Sequence, residues 1–456
     1  MKDIILLQTH NIKPNFYYAL LIIALVTGCA TSSNQLQIDE NTPPLKLGRV
    51  QSQSQDGVTV HISIPPDDYA KQYFGVEMAG SNIQPIWVKI ENNSDTGYWL
   101  LPYAIDPNYY SANEASMITG NKLNKDEQEA SKSLFRANVL PFFQKANSTQ
   151  EGFVYASYTR GGRFVDIQLT GHLDAIRMRF AVLLPTQSFD YEKSGLREMY
   201  AKVNELPDLT ITQLRTRLKE LPCCTTKSDG LGEGDPINIV LIGTGEVGIS
   251  ALSASGWDFT EAITIDSIRR TIGAAIEEVA FPTAPISSLY SFGRKQDVAL
   301  QRGRSTISQR NHMRLWLAPF RCQGQPVWVG QISRDIGVKF TSKSPTLTTH
   351  IIDPVVDEAR EYLLHSLLHS QSVKKFAFVK GMDAAWEENP RTNLTDDPYI
   401  TDGMRMVIWL SSNPVPSHQA INLGWNESAD PALEMRGKAL LEQKGLSPMV
   451  APLLDP

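Results

Sequence analysis

The sequence predicts a multi-domain chain in which an all-β sandwich is followed by an α+β domain. Apolar residues alternate with polar ones through residues 48–185, whereas strand and helix patterns mix through residues 234–412. Residues 186–233, rich in glycine and containing two adjacent cysteines, form the expected linker between them. A chain of 456 residues also exceeds what one hydrophobic core usually spans.

The amino terminus has the pattern of an export signal. Lys2 and Lys13 precede an apolar run, Phe16 to Val26, that is short for a membrane span. The run ends in Leu25-Val26-Thr27-Gly28-Cys29, which resembles the bacterial lipobox. We therefore expect residues 1–28 to be a signal peptide and Cys29 to carry diacylglycerol and palmitate. The alternative is an ordinary signal peptide or signal anchor with a chance cysteine.

The segment after Cys29 indicates where the protein is held. Ala30, in place of Asp, favours sorting to the outer membrane, with the protein facing the periplasm of the cell envelope. Residues 29–47 are mostly polar and are expected to form a flexible tether, so that the protein contacts the lipid bilayer through acylated Cys29.

The net charge of −6 makes nucleic acid an unexpected partner, and the sequence indicates neither a cofactor nor a metal.

Short apolar runs separated by turns define the first domain. Val58–Ile64 and Ile86–Ile90 alternate with period two, and Asn124–Phe143 reads as an inserted helix. Further strands are expected at 98–101, 150–159, 164–170 and 176–184. This pattern is typical of an immunoglobulin-like sandwich, whose usual role in envelope proteins is scaffolding or adhesion.

The second domain mixes element types. A linker helix at 212–221 precedes a strand at 237–242, helices at 267–280 and 354–370, and strands at 374–379 and 404–409. Asn311–Leu317 and Val327–Ile332 form the clearest hairpin, turning at Gln323-Gly324-Gln325. Residues 413–456 are expected to be a tail.

The cysteine count leaves the disulfide pattern open. After Cys29 the chain has Cys223, Cys224 and Cys322, an odd number for an exported protein. Because a bond between adjacent cysteines is strained, any bridge is expected between Cys322 and one of the pair. The alternative is three buried thiols.

A glycine motif follows the strand at 239–242. Gly243-Thr244-Gly245-Glu246-Val247-Gly248 matches the dinucleotide fingerprint, and Asp266 follows at a suitable distance. The next elements form a hairpin and not further parallel βαβ units. We therefore interpret the glycines as a tight strand-to-helix turn.

The strand at 310–317 carries an unusual polar face. Arg310, His312, Arg314 and Trp316 alternate with mainly apolar residues and so share one side of the strand. Arginines beside a tryptophan could bind an anion or a phosphate, since guanidinium groups donate paired hydrogen bonds to such ligands. The alternative is a solvated face whose arginines pair with acidic side chains.

A second candidate site precedes the helix at 354–370. His350 and Asp353, with Asp357 and Glu358, could ligate a metal or form an acid–base pair. Asp353 before Pro354 is equally typical of a helix N-cap, and acids in the first turn suit the helix dipole.

Several short motifs occur together in an order that resembles one family. They are Leu221-Pro222-Cys223-Cys224, Gly234-Asp235-Pro236-Ile237-Asn238, Gly256-Trp257, Ser291-Phe292-Gly293-Arg294, Arg310-Asn311-His312-Met313-Arg314-Leu315-Trp316, Val327-Trp328-Val329-Gly330 and His350-Ile351-Ile352-Asp353-Pro354. Together they resemble the LssY C-terminal domain family over about residues 234–412. The family name refers to a suggested component of type I secretion. Some relatives attach this domain to membrane regions resembling lipid phosphatases, which implies phosphate-bearing lipids as ligands.

Two functions remain open from the sequence. The first is a membrane-anchored lipoprotein whose α+β domain binds an envelope protein or an anionic ligand such as a lipid head group. The second is a hydrolase acting on a phosphate-containing or envelope-polymer substrate, with His312, Arg314, His350 and Asp353 as its site. Convergence of these four side chains would favour the enzyme, and their separation would favour the binding module.

Overall fold

The structure, a computed structural model, describes residues 33–34, 47–184, 188–277, 281–304, 309–340 and 348–425. The predicted signal peptide, the predicted acylation site Cys29 and most of the predicted tether and tail lie outside these residues. Several β-sheets in two regions dominate the fold, as expected for a multi-domain chain. No helix within the described ranges has the length and apolarity needed to cross a membrane.

Two sheets enclose the apolar core of the first region. Their strands are β1 (Ser33–Asn34), β2 (Gln51–Gln55), β3 (Val58–Ser63), β4 (Ile83–Asn92), β5 (Tyr98–Leu100), β6 (Phe143–Gln144), β7 (Ser148–Ser157), β8 (Gly162–Thr170) and β9 (Ala175–Leu183). One sheet has the order β1-β7-β4-β3-β2 and the other β6-β5-β8-β9. Alternate residues such as Val60 and Val88 of the first sheet pack on Ile167 and Phe180 of the second.

Four α-helices lie among the described residues of the first region. They are α1 (Asp67–Phe74), α2 (Pro102–Ile105), α3 (Ala112–Thr119) and α4 (Lys125–Ala137). The helix expected over residues 124–143 starts as predicted, because Asn124 caps α4 with a capping box. It ends earlier, at Ala137, and Phe143 belongs to β6. Phe135 of α4 packs with Phe74 and Phe153 in a second apolar cluster.

A ten-stranded sheet forms the centre of the second region. Its strands are β10 (Asp208–Leu209), β11 (Ile239–Ile242), β12 (Asp258–Phe259), β15 (Val298–Gly303), β16 (Arg310–Cys322), β17 (Gln325–Phe340), β18 (Thr348–Ile352), β19 (Val373–Lys380), β22 (Met404–Leu410) and β23 (Ile421–Asn422). Two small ribbons pair β13 (Tyr290–Ser291) with β14 (Arg294–Lys295) and β20 (Arg391–Thr392) with β21 (Pro398–Tyr399). The predicted hairpin is present as β16 and β17, which are longer than expected.

Helices cover both faces of the large sheet. The α-helices described in the second region are α5 (Leu196–Ala201), α6 (Ile211–Glu220), α7 (Gly245–Ala254), α8 (Ile265–Ile276) and α9 (Val356–His369). Met313 and Leu315 of β16 pack with residues of α7 and α9 on one face, and Leu214 and Leu218 of α6 pack on the other. Phe189 and Val203, in the segment expected to be a linker, are part of the first of these clusters.

Candidate functional site

The polar row of β16 lies inside the protein. Arg310, His312, Arg314 and Trp316 share one face of the strand, as the alternation predicts, and each is between 0 and 6% exposed. Residues 281–297 cover this face: the carbonyl oxygen of Phe281 accepts a hydrogen bond from Gln301 on the neighbouring β15. The row is therefore not a solvated face, and its side chains interact with groups of the same chain.

Asp335 is shared by two members of the row. Its carboxylate lies 3.0 Å from Nε of Arg310 and 3.2 Å from Nδ1 of His312. The other ring nitrogen of His312 lies 2.9 Å from the hydroxyl of Ser333. β17 supplies both partners, because Asp335 faces Arg310 and Ser333 faces His312 across the hairpin. A carboxylate held between an arginine and a histidine is a compact, internally balanced charge cluster.

Arg314 has neutral hydrogen-bond acceptors among the described residues. Its Nε and Nη2 donate to the carbonyl oxygen of Ser287 at 3.0 and 2.9 Å, and its Nη1 donates to Oε1 of Gln331 at 2.8 Å. Burial lowers the pKa of Arg314 to about 10, and Asp235 and Asp335 oppose that shift through space. Arg314 is a buried cation that ties the covering segment to the sheet.

Trp316 is also enclosed by the covering segment. Its indole nitrogen donates to the carbonyl oxygen of Arg294 at 3.2 Å. Arg294 in turn forms a paired interaction with Asp297, at 3.0 and 2.8 Å, and Asp297 accepts the backbone N–H of Leu317. Sequence reasoning did not identify Asp297, because a three-residue spacing indicates an ion pair on a helix and residues 294–297 are not helical.

Asp353 lies next to the face of the hairpin that is opposite the polar row. Its carboxylate is 3.8 Å from the guanidinium of Arg334, which also contacts Asn311 at 3.1 Å. Because Asn311 and Arg334 face each other between the pairs of the polar row, their side chains leave the sheet on the other side. The structure therefore does not bring Asp353 together with His312 and Arg314. The side chain of His350 lies outside the described residues.

The helix after Asp353 begins later than expected. Val355, and not Asp353, is the N-cap residue of α9, and it makes no side-chain cap. Asp353 instead accepts the backbone N–H of Val355 at 3.0 Å in the turn that leads into the helix. The predicted N-cap is thus wrong by two residues.

An open cleft of about 410 Å³ lies between two loops of the second region. It is lined by Lys227, Gly232, Glu233, Pro390, Arg391, Thr392, Asn393, Leu394 and Asp396. Arg391 pairs with Glu233 at 2.9 Å, and Nδ2 of Asn393 donates to the buried Asp235 at 2.9 Å. Asp235 also opposes, through space, the lowering of the Arg314 pKa by burial. Sequence reasoning missed this cleft because its two loops are about 160 residues apart.

The disulfide differs from the expected one. Cys223 is bonded to Cys224, and Cys322 is a buried free thiol. The expected bridge to Cys322 is absent because that residue packs in an apolar cluster on β16 with Val327 and Ala318. Burial raises the pKa of its thiol to about 11.

Cys223, Cys224 and Glu233 could hold a metal only in a reduced state. Their ligand atoms lie within 4.8 Å of one another. In the disulfide form the two sulfur atoms are bonded to each other and Glu233 pairs with Arg391. This form offers no thiolate, which is the ligand that soft metals require.

The glycine motif forms a strand-to-helix turn at β11 and α7. Thr244 caps α7 by accepting the N–H of Val247, and Gly245 donates its N–H to the hydroxyl of Tyr200 at 2.8 Å. β11 is antiparallel to β17 on one side and parallel to β22 on the other. Tyr200 therefore accepts one of the N–H groups that would hold a pyrophosphate in a dinucleotide fold.

The second region can be placed in a family. The family model described as LssY C-terminus matches residues 216–404. This part of the chain is therefore an LssY C-terminal domain, which confirms the resemblance of its motifs. The match begins within α6, includes Cys223 and Cys224 and ends at the start of β22. No match to the chain was found among curated proteins.

Proposed function

We propose that this protein is an envelope lipoprotein, anchored through acylated Cys29, whose LssY C-terminal domain is a binding module and not an enzyme. In this proposal the first region is an immunoglobulin-like sandwich, and the second is an α+β domain. The sandwich spaces the binding domain from the outer membrane, and both face the periplasm. The ligand is an anionic group, such as a phosphate-bearing head group, or an envelope protein that presents one.

One observation carries the non-enzymatic interpretation. Two candidate side chains of the family motifs interact with opposite faces of the same hairpin: Asp353 contacts Arg334, whereas His312 contacts Asp335. A hydrolase needs a nucleophile or activated water, a base and a stabilising cation around one reacting atom. Arg314, which would be the cation, is held by Ser287 and Gln331.

The open cleft supports the anion part of the proposal. Lys227 is exposed there, and Arg391 is only partly buried, so both cations can reach a ligand from solvent. A ligand phosphate would replace Glu233 as the partner of Arg391 by accepting two parallel hydrogen bonds. Asp235 accepts a hydrogen bond from Asn393 of the cleft and also acts through space on Arg314 of the buried row.

Thermal protection by simple anions tests this proposal. The mature chain should unfold at a higher temperature in inorganic phosphate or glycerol phosphate than in sodium chloride of equal ionic strength. Lys227→Ala/Arg391→Ala should lose this protection, whereas Lys380→Ala, which removes an exposed lysine paired with Asp383, should keep it. Equal protection in all three proteins, or none in the unsubstituted chain, would refute anion binding at the cleft. Release of phosphate from a generic monoester substrate would refute the non-enzymatic interpretation.

A further inference from the structure

An exposed aromatic patch lies on the sandwich. We define it as Trp99, Leu101, Tyr103, Phe142 and Phe143, which are between 39 and 69% exposed. The ring centroids of Trp99 and Phe143 are 5.1 Å apart, and the backbone N–H of Leu100 donates to the carbonyl oxygen of Phe142, so segments 99–103 and 142–143 lie side by side. A cluster of large apolar side chains in water is unfavourable unless a partner covers it.

The strand pattern explains why the patch faces outward. Tyr98 and Leu100 of β5 point into the core and are both 2% exposed, so the alternation places Trp99 on the outer face. Trp99 lies opposite Phe143 on β6 and Thr170 on β8. The turn after Thr170 extends the same end of the sheet with Leu173, whose side chain is almost completely exposed.

The start of the chain reaches the same end of the sandwich. β1 pairs in parallel with β7, with Ser33 beside Thr149 and Asn34 beside Gln150. The beginnings of both strands therefore lie at one end, next to the turn that joins β7 to Phe143 and Gln144 of β6. Cys29 is four residues before Ser33, and four residues span at most about 14 Å. An acyl group on Cys29 is thus confined to the neighbourhood of the β6–β7 turn.

We propose that the aromatic patch rests on the surface of the lipid bilayer that holds acylated Cys29. The proposal depends on the lipid anchor of the proposed function. Tryptophan and tyrosine favour the interface between head groups and acyl chains, because one part of each ring is apolar and the other can form hydrogen bonds. Anchor and patch together supply two membrane contacts, which set the orientation of the sandwich in a way that a tether alone does not.

Quenching by brominated lipids tests this orientation. The full lipoprotein is purified from envelopes and reconstituted in vesicles of phosphatidylethanolamine and phosphatidylglycerol whose acyl chains carry bromine. The quenchable tryptophan fluorescence of the unsubstituted protein should fall by at least half in Trp99→Phe and stay unchanged in Trp386→Phe, the matched control. Trp386 is 42% exposed and lies in the second region. Equal quenching of the unsubstituted protein and of Trp99→Phe would overturn the proposal. Shielding of Trp99 by soluble peptidoglycan fragments, and not by lipid, would overturn it as well.

Failure of the anchor can be distinguished from failure of the patch. Mass spectrometry of the same sample reports whether Cys29 is acylated, and an unmodified Cys29 refutes the proposed anchor. Sedimentation of the Cys29→Ala chain without residues 1–28, whose apolar run would itself bind lipid, with the same vesicles then decides the patch independently. Trp99→Ala/Phe143→Ala in that background should reduce the bound fraction about tenfold or more, whereas Trp386→Ala should not. Equal binding of the two variants and their parent, or no binding by the parent, would overturn the proposal.

Discussion

The Nε atom of Arg310 lies 3.0 Å from the carboxylate of Asp335, and both side chains are almost completely buried. The same carboxylate contacts His312, so one anion supports two neighbouring groups of β16. Twenty-five residues separate Arg310 from Asp335, yet the hairpin register places them directly opposite each other. A shift in the register of the hairpin would therefore separate these two charges beneath the covering segment.

Removing Asp335 is expected to destabilise the protein strongly. Asp335→Ala leaves Arg310 buried without its carboxylate partner, which costs about 3–5 kcal/mol in typical buried pairs. Urea unfolding of the mature chain measures this difference. The matched control is Glu358→Ala, whose partner Arg334 lies on the other face and whose own side chain is more than half exposed. That variant should lose no more than about 1 kcal/mol. Similar losses in both variants would contradict a structural role for the Arg310–Asp335 pair.

Arg314 offers a direct comparison of structural and ligand-binding roles. Arg314→Ala removes hydrogen bonds to Ser287 and Gln331 and leaves their oxygens without that donor. Because hydrogen bonds to charged groups are worth about 1.5–3 kcal/mol, unfolding free energy should fall by about that amount or more. A variant that keeps wild-type stability but loses phosphate protection would instead place the anion site at the polar row.

Asp106 is expected to make stability depend on acid pH. Burial opposes its ionisation, but the backbone N–H groups of Asn108 and Ser157 and the guanidinium of Arg163 outweigh burial and lower the pKa of Asp106. The native state therefore binds this proton less tightly than the unfolded chain. The resulting stabilisation is fully present above the ordinary aspartate pKa of about 3.9 and is lost as pH falls through the lower native pKa. Asp106→Asn should therefore show a shallower loss of stability below about pH 4 in denaturation curves. Parallel pH profiles of variant and parent would contradict this assignment.

Thiol counting tests the disulfide in the Cys29→Ala chain. The folded protein should react with iodoacetamide at none of its remaining cysteines at pH 8, because Cys322 is buried and its thiol pKa is raised to about 11. Unfolding without a reductant should expose Cys322 alone, and reduction should add Cys223 and Cys224. A peptide that links Cys322 to either of the pair would restore the arrangement expected from the sequence.

Much of the hairpin could be predicted because its signal is local. Period-two alternation assigns Arg310, His312, Arg314 and Trp316 to one face whatever packs on it. The identity of the covering segment could not be predicted, since residues 281–297 have little regular structure and contact the row largely through backbone oxygens of Ser287 and Arg294. The result is a row that looks accessible in sequence and is enclosed in the fold.

Long-range pairing limited the prediction of the candidate site. The cleft combines Glu233 with Arg391 and Asp235 with Asn393, and neither pair has a periodic or spaced signature. Strain between adjacent cysteines favours a bridge to Cys322, whereas the burial of Cys322 in an apolar cluster depends on tertiary packing that the sequence does not show. The family motifs were recognisable from order and spacing, yet their side chains in the hairpin serve largely to hold the fold together.

Acylation of Cys29 is the prediction on which the envelope location depends. The segment Leu25 to Cys29 provides the small residues and the cysteine that a lipobox requires, and the apolar run before it is short for a membrane span. Cys29→Ala should therefore remove palmitate labelling and leave an unprocessed or soluble species in cell fractionation. Cys322→Ala is the matched control: it removes a cysteine that is buried in the fold, and it should leave both labelling and the membrane fraction unchanged. Palmitate incorporation that persists in Cys29→Ala would exclude Cys29 as the anchor, and the membrane orientation inferred from the aromatic patch would then depend on the vesicle measurements alone.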